Sequence, residues 1–307
     1  MPTLLRRTLR PFGATLVLEA DDRRVLDAAD AALARYPRSA GVQASCSVTA
    51  RTGADAEGDP AWPVTSVRFS DGRLELRCGS GVLDADGRAG VATLTLPPAL
   101  LAVPDAVRMF VEGAASVLLI NGGQLHAVHA GLVERAGRAV LLRGPSGAGK
   151  STLTYSCLRR GWRVASDDWV YGVAGQPPDR LWGYPWRVFL VPEATARFPE
   201  LAGRDAVLHP GADRLKVPIE PPVAQRRRSA EVHCVVFLDP GAELSLTAID
   251  PDEAQRRFWG PALPTERSDL PPAWVERLLD RPCYVLARGG EPDEAAALLE
   301  RLTLSSA

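Results

Sequence analysis

Cysteine is scarce in this sequence, and its few residues are not arranged for a disulfide framework or a metal site. None belongs to a Cys-x-x-Cys pair, and none stands at zinc-ligand spacing with a histidine. Scattered thiols of this kind are typical of a reducing compartment, which predicts a cytoplasmic protein. The five are Cys46, Cys78, Cys157, Cys234 and Cys283.

Long apolar runs and net charge are also lacking. No segment approaches the roughly 20 apolar residues that a membrane-spanning helix needs, and residues 1–10 lack the apolar stretch of a signal peptide. The formal net charge is -1, so the sequence predicts neither a nucleic-acid partner nor an anionic membrane partner. The one basic run, Arg226–Arg228, fits a solvated loop or a local phosphate contact. At 46% hydrophobic and 24% charged residues, the composition suits a globular protein with an ample core.

The pattern along the chain predicts an α/β protein of two domains. Residues 1–103 carry short alternating runs, an Ala-rich helix over 25–36 and a hairpin turn at Asp71-Gly72, which together indicate a small α+β module for acceptor or partner recognition. Residues 104–307 start with a helix over 105–117 and predict a mixed-sheet domain. There, a strand over 125–133 is followed by a tight turn and a strand over 138–143. So short a connection favours an antiparallel hairpin.

A complete phosphate-binding motif follows that hairpin. Gly144-x-x-x-x-Gly149-Lys150-Ser151 matches the Walker A pattern between a predicted strand and a predicted helix over 151–160. The glycines allow several backbone N–H groups to point at one anion, and the helix N-terminus adds its positive dipole end. Lys150 would contact the β- and γ-phosphates, and Ser151 would place its hydroxyl on Mg²⁺, with Thr152 as a substitute. The predicted nucleotide-binding residues are Gly144, Pro145, Ser146, Gly147, Ala148, Gly149, Lys150, Ser151 and Thr152.

Phosphoryl transfer also needs a carboxylate that holds the metal and a group that accepts the acceptor's proton. Asp167 and Asp168 end the short strand that follows the predicted helix. Adjacent residues of an extended chain point to opposite sides, so one carboxylate could face the metal while the other faces the acceptor. A second candidate is Asp239, which follows four apolar residues as a Walker B aspartate does. Pro240 and Gly241 follow at once, and they favour a simple turn there.

Four segments together resemble the catalytic domain of the HPr kinase/phosphorylase-like kinases, a fold shared with phosphoenolpyruvate carboxykinase. They are His129–Val133, the loop Gly144–Ser151, Arg160–Trp162 and Ser166–Asp168. The resemblance implies that Lys150 binds phosphates, that Asp167 is the catalytic base, and that Ser151 and Asp168 hold Mg²⁺, although the roles of the two aspartates could be reversed. It also implies a catalytic role for His129 near the base, and it makes self-association into a homo-oligomer an expectation.

Two departures from that family matter. The downstream Leu-Glu-Ile-Arg-Gly-Leu-Gly signature has no match, and Ala130 replaces the glycine that should follow the histidine. The first departure removes a metal-coordinating glutamate and argues against HPr as the acceptor. Further cations and aromatic residues that could contact the acceptor or nucleobase lie at Arg187, Arg214, Lys216, Trp182, Tyr184 and Trp186, although plain surface charge and loop packing are the favoured explanations of these residues.

The sequence therefore predicts a Mg-ATP-dependent kinase, with GTP as an open alternative, that phosphorylates a hydroxyl group, foremost a Ser or Thr of a protein or peptide. A small-molecule hydroxyl kinase differs from this only in the acceptor. An ABC-type or other P-loop ATPase remains an alternative, although no Leu-Ser-Gly-Gly-Gln-like signature precedes Asp239. A nucleotide-sensing binding module is the third.

Overall fold

The structure is a computed structural model that describes residues 3–34, 36–38, 41–57, 66–208 and 215–304. Within these residues the fold is mixed α/β, as predicted, and the chain divides into two compact units. The first unit comprises the described residues up to Leu125, and the second comprises residues 126–207 and 215–304. The helix predicted over 105–117 belongs to the first unit, whereas the proposed domain boundary at residue 103 grouped it with the second.

The first unit is built on one mixed sheet of seven strands. The strands are β1 (Leu5–Leu9), β2 (Thr15–Ala20), β3 (Ser45–Thr52), β4 (Ser66–Ser70), β5 (Arg73–Cys78), β6 (Gly81–Asp86) and β7 (Val91–Leu96). Their order is β1-β2-β3-β7-β6-β5-β4, with β2, β3 and β7 parallel and the other pairs antiparallel. The helices are α1 (Arg23–Leu33), α2 (Pro98–Leu101) and α3 (Pro104–Ile120).

Side-chain periodicity explains these elements. In β3, buried Cys46, Val48 and Ala50 alternate with more exposed residues, so only one face of the strand joins the core. The predicted hairpin is confirmed: β4 and β5 pair antiparallel around Asp71 and Gly72, whose φ angles of 52° and 79° are those that a two-residue turn requires.

The second unit contains a larger mixed sheet and a small one. The strands of the larger sheet are β8 (Leu125–His129), β9 (Gly131–Arg135), β10 (Arg138–Arg143), β11 (Arg163–Ser166), β12 (Trp169–Val173), β13 (Arg180–Trp182), β17 (Ser229–Asp239), β18 (Leu244–Ala248) and β19 (Cys283–Arg288). The small sheet consists of β14 (Val188–Leu190), β15 (Val207–Leu208) and β16 (Leu215–Ile219). The helices are α4 (Lys150–Arg159), α5 (Pro192–Thr195), α6 (Pro251–Trp259), α7 (Pro264–Asp269), α8 (Pro272–Leu279) and α9 (Pro292–Leu304).

The order of the larger sheet is β11-β9-β10-β17-β13-β12-β8, and β19 pairs with β17 and β18. The long strand β17 has two partners on one side, since its first residues pair with β13 and its last five with β19. The predicted antiparallel hairpin is confirmed as β9 and β10. The single strand predicted over 125–133 is wrong, because the chain breaks at Ala130: β8 lies at the sheet edge beside β12, while β9 pairs with β10 and β11.

Parallel pairing in the centre of this sheet places three chain ends together. β10 is parallel to β17, and β17 is parallel to β19, so their carboxyl ends meet at one edge. These ends are Arg143, Asp239 and Arg288. Helices cover both faces: Val140 and Leu142 of β10 pack with the cluster that includes residues of α4 and α9, and Leu141 packs with the cluster of α6 and α8. Burial on both faces explains why the central strands are almost wholly apolar.

Among the described residues, no helix combines the length and the apolar character needed to cross a bilayer.

Candidate active site

The loop between β10 and α4 has the backbone of an anion cradle. Gly147 and Gly149 have φ angles of +81° and +86°, a left-handed conformation that glycine adopts without strain. Gly149 is the N-cap of α4, and no side chain caps the N–H groups of the first turn. Uncapped N–H groups at a helix N-terminus are a ready site for an anion such as a phosphate.

Gly144 allows the loop to lie close against the neighbouring strand. A Cβ added there would lie 3.0 Å from Cβ of Ala148 and 3.2 Å from the carbonyl oxygen of Leu238, the penultimate residue of β17. Pro145, Ser146 and Gly147 form the exposed rim of the loop. The loop is therefore fixed at its base and open at its tip, as ligand entry requires.

Lys150 lies under this loop, and only 6% of its surface is exposed. Its Nζ donates hydrogen bonds to the carbonyl oxygens of Gly144 at 2.9 Å and Pro145 at 3.2 Å. Burial lowers the pKa of Lys150 to about 8, although the charge of Asp168 partly opposes this effect. A phosphate bound in the loop would favour the charged ammonium and would compete with the carbonyls for it.

Asp167 follows β11 and is buried, with 5% of its surface exposed. Its Oδ2 accepts a hydrogen bond from the backbone N–H of Phe189 at 3.0 Å, and its carboxylate also bonds the Ser151 hydroxyl. Burial and then the charge of Asp168 raise the pKa of Asp167 to about 6, although both hydrogen bonds oppose the rise. A buried carboxylate bonded to the motif's serine is placed to share a metal ion with that serine.

Asp168 points the other way, as expected for the next residue of an extended chain. Its Oδ1 accepts a hydrogen bond from Nε2 of His129 at 2.9 Å, and 45% of its side chain is exposed. Burial opposes ionisation of this group, but the hydrogen bond from His129 and the charges of His129, Lys216 and Lys150 outweigh it and lower the pKa of Asp168. Asp168 is therefore an ionised carboxylate that solvent, and a substrate, can reach.

A buried ion pair fixes the end of β8 behind this site. Arg143 donates from Nη1 to Oε1 of Glu266 at 2.6 Å, and the two side chains are 1% and 0% exposed. The same pair holds both backbone groups of His129: its N–H donates to Glu266 at 2.9 Å, and its carbonyl accepts from Arg143 at 2.9 Å. The Phe258 carbonyl accepts from Nη2 of Arg143 at 2.9 Å. No local sequence pattern indicates this pair, because its two residues lie 123 positions apart.

The second acidic candidate is engaged elsewhere. Asp239 lies at the carboxyl end of β17, and its Oδ2 accepts from Nη1 of Arg257 at 2.8 Å. Its carboxylate is thus partly neutralised by a cation from α6, which argues against a metal-binding role.

The remaining predicted cations have diverse surroundings. Lys216 acts electrostatically on both Asp167 and Asp168 and lies over the ring of Phe189, 5.7 Å from its centroid. Nε of Arg187 lies 3.8 Å from Oε1 of Glu220. Arg214 lies outside the described residues.

The three aromatic residues that could contact the acceptor or nucleobase all have neighbours within the fold. Trp182 belongs to β13, where it pairs with Tyr171 and Ser229. Arg226 and Arg228 approach the ring of Trp186, with 5.1 Å and 5.8 Å from guanidinium carbon to centroid. Tyr184 is partnered as well.

The donor set next to the loop fits a hard divalent cation. Among the described residues there is no cluster of three or more His, Cys, Asp or Glu side chains around one point. Mg²⁺ needs no such cluster, because it commonly takes one or two carboxylates, with waters and substrate phosphates completing its shell. The Ser151 hydroxyl and the Asp167 carboxylate, already bonded to each other, are such a pair.

Comparisons with known proteins identify no family for this chain. No protein-family model matches it, and no curated protein matches it. One solved structure similar to it is that of the Hpr(Ser) kinase/phosphatase from Coxiella burnetii, with 16% sequence identity over 58% of this chain and 93% of the other. The TM-score of that match is 0.28, which is too low to support a statement about function.

Proposed function

We propose that this protein is a Mg-ATP-dependent kinase that transfers the γ-phosphoryl group to a hydroxyl acceptor, foremost a Ser or Thr of a protein or peptide. One observation carries the proposal. Beside the phosphate loop, two adjacent carboxylates differ in environment. The carboxylate of Asp167 is buried and hydrogen-bonded to Ser151, whereas that of Asp168 is exposed and hydrogen-bonded to His129. A phosphotransferase needs these two roles, metal binding and acceptor activation, next to the transferred group.

The chain's own groups divide the work as follows. The N–H groups of the loop and of the first turn of α4 bind the phosphates, and Lys150 neutralises the charge of the phosphate to be transferred. Ser151 and Asp167 would hold Mg²⁺, which would supply neutralisation of the phosphate charge.

Accessibility favours Asp168 as the base and Asp167 as the metal ligand. This is the reverse of the roles that the resemblance to the HPr kinase/phosphorylase-like kinases implies. A base must come within about 3 Å of the acceptor hydroxyl, and only Asp168 has an exposed carboxylate. The carboxylate of Asp168 bonds His129 and is exposed, whereas the carboxylate of Asp167 is buried and engaged by Phe189 and Ser151. His129 then orients Asp168 through the 2.9 Å hydrogen bond from its Nε2.

The proposal is tested with an array of Ser- and Thr-containing peptides and a matched array in which Ala replaces each Ser or Thr. Purified protein, Mg²⁺ and γ-labelled ATP should label members of the first array only. Asp168→Asn should reduce transfer by about 100-fold or more, because general-base catalysis contributes that much, and should leave nucleotide affinity near wild type. Asp167→Asn should instead raise the Mg²⁺ concentration required for transfer.

Three results would contradict parts of this proposal. If Asp168→Asn retains full transfer while Asp167→Asn loses transfer at saturating Mg²⁺, Asp167 is the base. Labelling of small hydroxyl compounds but of no peptide would identify a small-molecule kinase. Acceptor-independent ATP hydrolysis that Asp239→Asn abolishes and both other variants retain would identify a P-loop ATPase.

A further inference from the structure

A cavity of about 540 Å³ opens beside the phosphate loop, within the second unit. One side is formed by the loop and α4, through Gly147, Gly149 and Thr152. The lining also includes Arg288, the last residue of β19, and the segment that follows it up to Pro292. This volume lies in the range of sites that bind small molecules and cofactors.

Arg288 reaches from the end of β19 to the phosphate loop itself. A Cβ added at Gly149 would lie 2.8 Å from Cζ of Arg288, so the guanidinium occupies the space that a side chain at Gly149 would need. Arg288 ends the strand parallel to β17, which in turn is parallel to the loop-bearing β10. The sheet therefore places this cation at the same edge as the motif lysine.

In the part of the chain that the structure describes, Arg288 has no ion-pair partner. Its Nε is buried and has no hydrogen-bond partner in the described part of the chain. The cation that acts on it is Arg197, which also lines the cavity, and burial together with this repulsion lowers the pKa of Arg288. Within residues 3–304 as described, no carboxylate forms an ion pair with either guanidinium.

Two neighbouring guanidinium groups that form no ion pair with a described carboxylate favour an anion between or beside them. Phosphate oxygens match the planar donor fork of arginine, and charge-assisted bonds to phosphate are stronger than neutral hydrogen bonds. The rest of the lining suits the other end of a nucleotide. Val191, Ala194 and Pro292 offer apolar surface to a base, and Glu193 and Glu291 offer acceptors to sugar hydroxyls.

We propose that Arg288 and Arg197 bind the phosphate chain of the nucleotide held by loop 144–152, and that the nucleoside lies in this cavity. This inference rests on the proposed function only in that the loop binds a nucleotide. It assigns ligand contacts to residues more than 40 positions beyond the motif, where the sequence pattern gives no indication.

Isothermal titration with ADP, inorganic pyrophosphate and adenosine tests the assignment on the full chain. Arg288→Gln should lower the affinities for ADP and for pyrophosphate by a similar factor of about 10 or more, and it should change the affinity for adenosine little. Arg197→Gln should act in the same direction with a smaller factor, since Arg197 is exposed. Arg288→Lys should recover part of the lost phosphate affinity, because lysine keeps the positive charge but lacks the planar set of donors of the guanidinium group.

Two controls separate binding from folding. Arg277→Gln changes an exposed arginine of α8 outside the cavity and should bind all three probes as wild type does. Arg288→Gln should unfold at the same temperature as wild type or higher, since it removes a like-charge contact.

The outcomes distinguish this inference from the proposed function. If Lys150→Ala abolishes ADP binding while Arg288→Gln and Arg197→Gln bind ADP and pyrophosphate as wild type does, the nucleotide site stands and the arginine assignment is overturned. If the wild-type protein binds neither ADP nor pyrophosphate, both are overturned. A selective loss of adenosine binding in Arg288→Gln would place the arginine on the nucleoside and would also refute the phosphate assignment.

Discussion

Replacement of the buried Asp167 by asparagine should stabilise the protein, and the gain should depend on pH. The pKa of Asp167 rises from an ordinary 3.8 to about 6, chiefly through burial and then through the charge of Asp168. Each pKa unit corresponds to about 1.36 kcal/mol, so the ionised carboxylate costs the folded state about 3 kcal/mol. Asparagine is close in shape, can accept from Phe189 through its oxygen, and carries no charge.

The sign follows from proton binding. Between pH 3.8 and 6 the folded wild-type protein binds more protons at Asp167 than the unfolded chain does, so its stability falls as pH rises through that window. The asparagine variant cannot ionise at this position, so its stability does not fall for this reason as pH rises. We expect it to exceed wild type by about 1 kcal/mol at pH 4.5 and by about 3 kcal/mol at pH 8.

Urea unfolding in EDTA, followed by tryptophan fluorescence, measures this difference in the second unit. That unit contains every tryptophan except Trp62. Asp239→Asn is the matched control, because it breaks a part-exposed ion pair with Arg257 and should lower stability by about 1 kcal/mol or less. A difference between Asp167→Asn and wild type that stays constant from pH 4.5 to 8, or a net loss at pH 8, would refute the reasoning.

Two further predictions concern the metal and the buried ion pair. Mg²⁺ affinity in the presence of ADP should fall as pH drops below about 6, because protonated Asp167 is a poor ligand, and a calorimetric titration of Asp167→Asn should show no such inflection. Glu266→Gln should cost about 3 to 5 kcal/mol in urea unfolding, since it leaves Arg143 charged and buried, whereas Glu231→Gln, in an exposed pair with Arg180, should cost about 1 kcal/mol or less. Equal losses of unfolding free energy in Glu266→Gln and Glu231→Gln would contradict the value expected for Glu266→Gln.

Local patterns were sufficient to predict several elements of the fold. The hairpin β9–β10 follows from two apolar runs around a short turn, and Ala136 and Gly137 adopt the positive φ angles of that turn. The helix after the motif follows from its capping signals: α4 ends near Gly161, whose φ of +84° is that of a glycine cap. Each of these features is decided by residues that are close in sequence, which is why they are readable without a structure.

Features decided by distant residues were not predictable. The break at Ala130 follows from edge pairing of β8 with β12, about 40 residues later, and the first four residues of the strand on each side of it are buried. The same holds in the candidate site. The adjacency of Asp167 and Asp168 and their opposite directions follow from the extended chain, but their partners Phe189 and His129 are supplied by other strands. Arg288 and Glu266 carry no motif at all.

The Arg143–Glu266 pair has a positional role that apolar residues could not fill. Buried ion pairs add little net stability, and hydrophobic residues of similar volume often stabilise a fold more. Here, however, the pair satisfies the N–H and the C=O of His129 at the break between β8 and β9, and Arg143 is the residue directly before Gly144. One interaction thus links the residue before the phosphate loop to the histidine that bonds Asp168. It follows that Glu266→Gln should reduce phosphoryl transfer more than nucleotide affinity, because the hydrogen bonds from Lys150 to the carbonyls of Gly144 and Pro145 still hold the loop while the orientation of His129 toward Asp168 is lost.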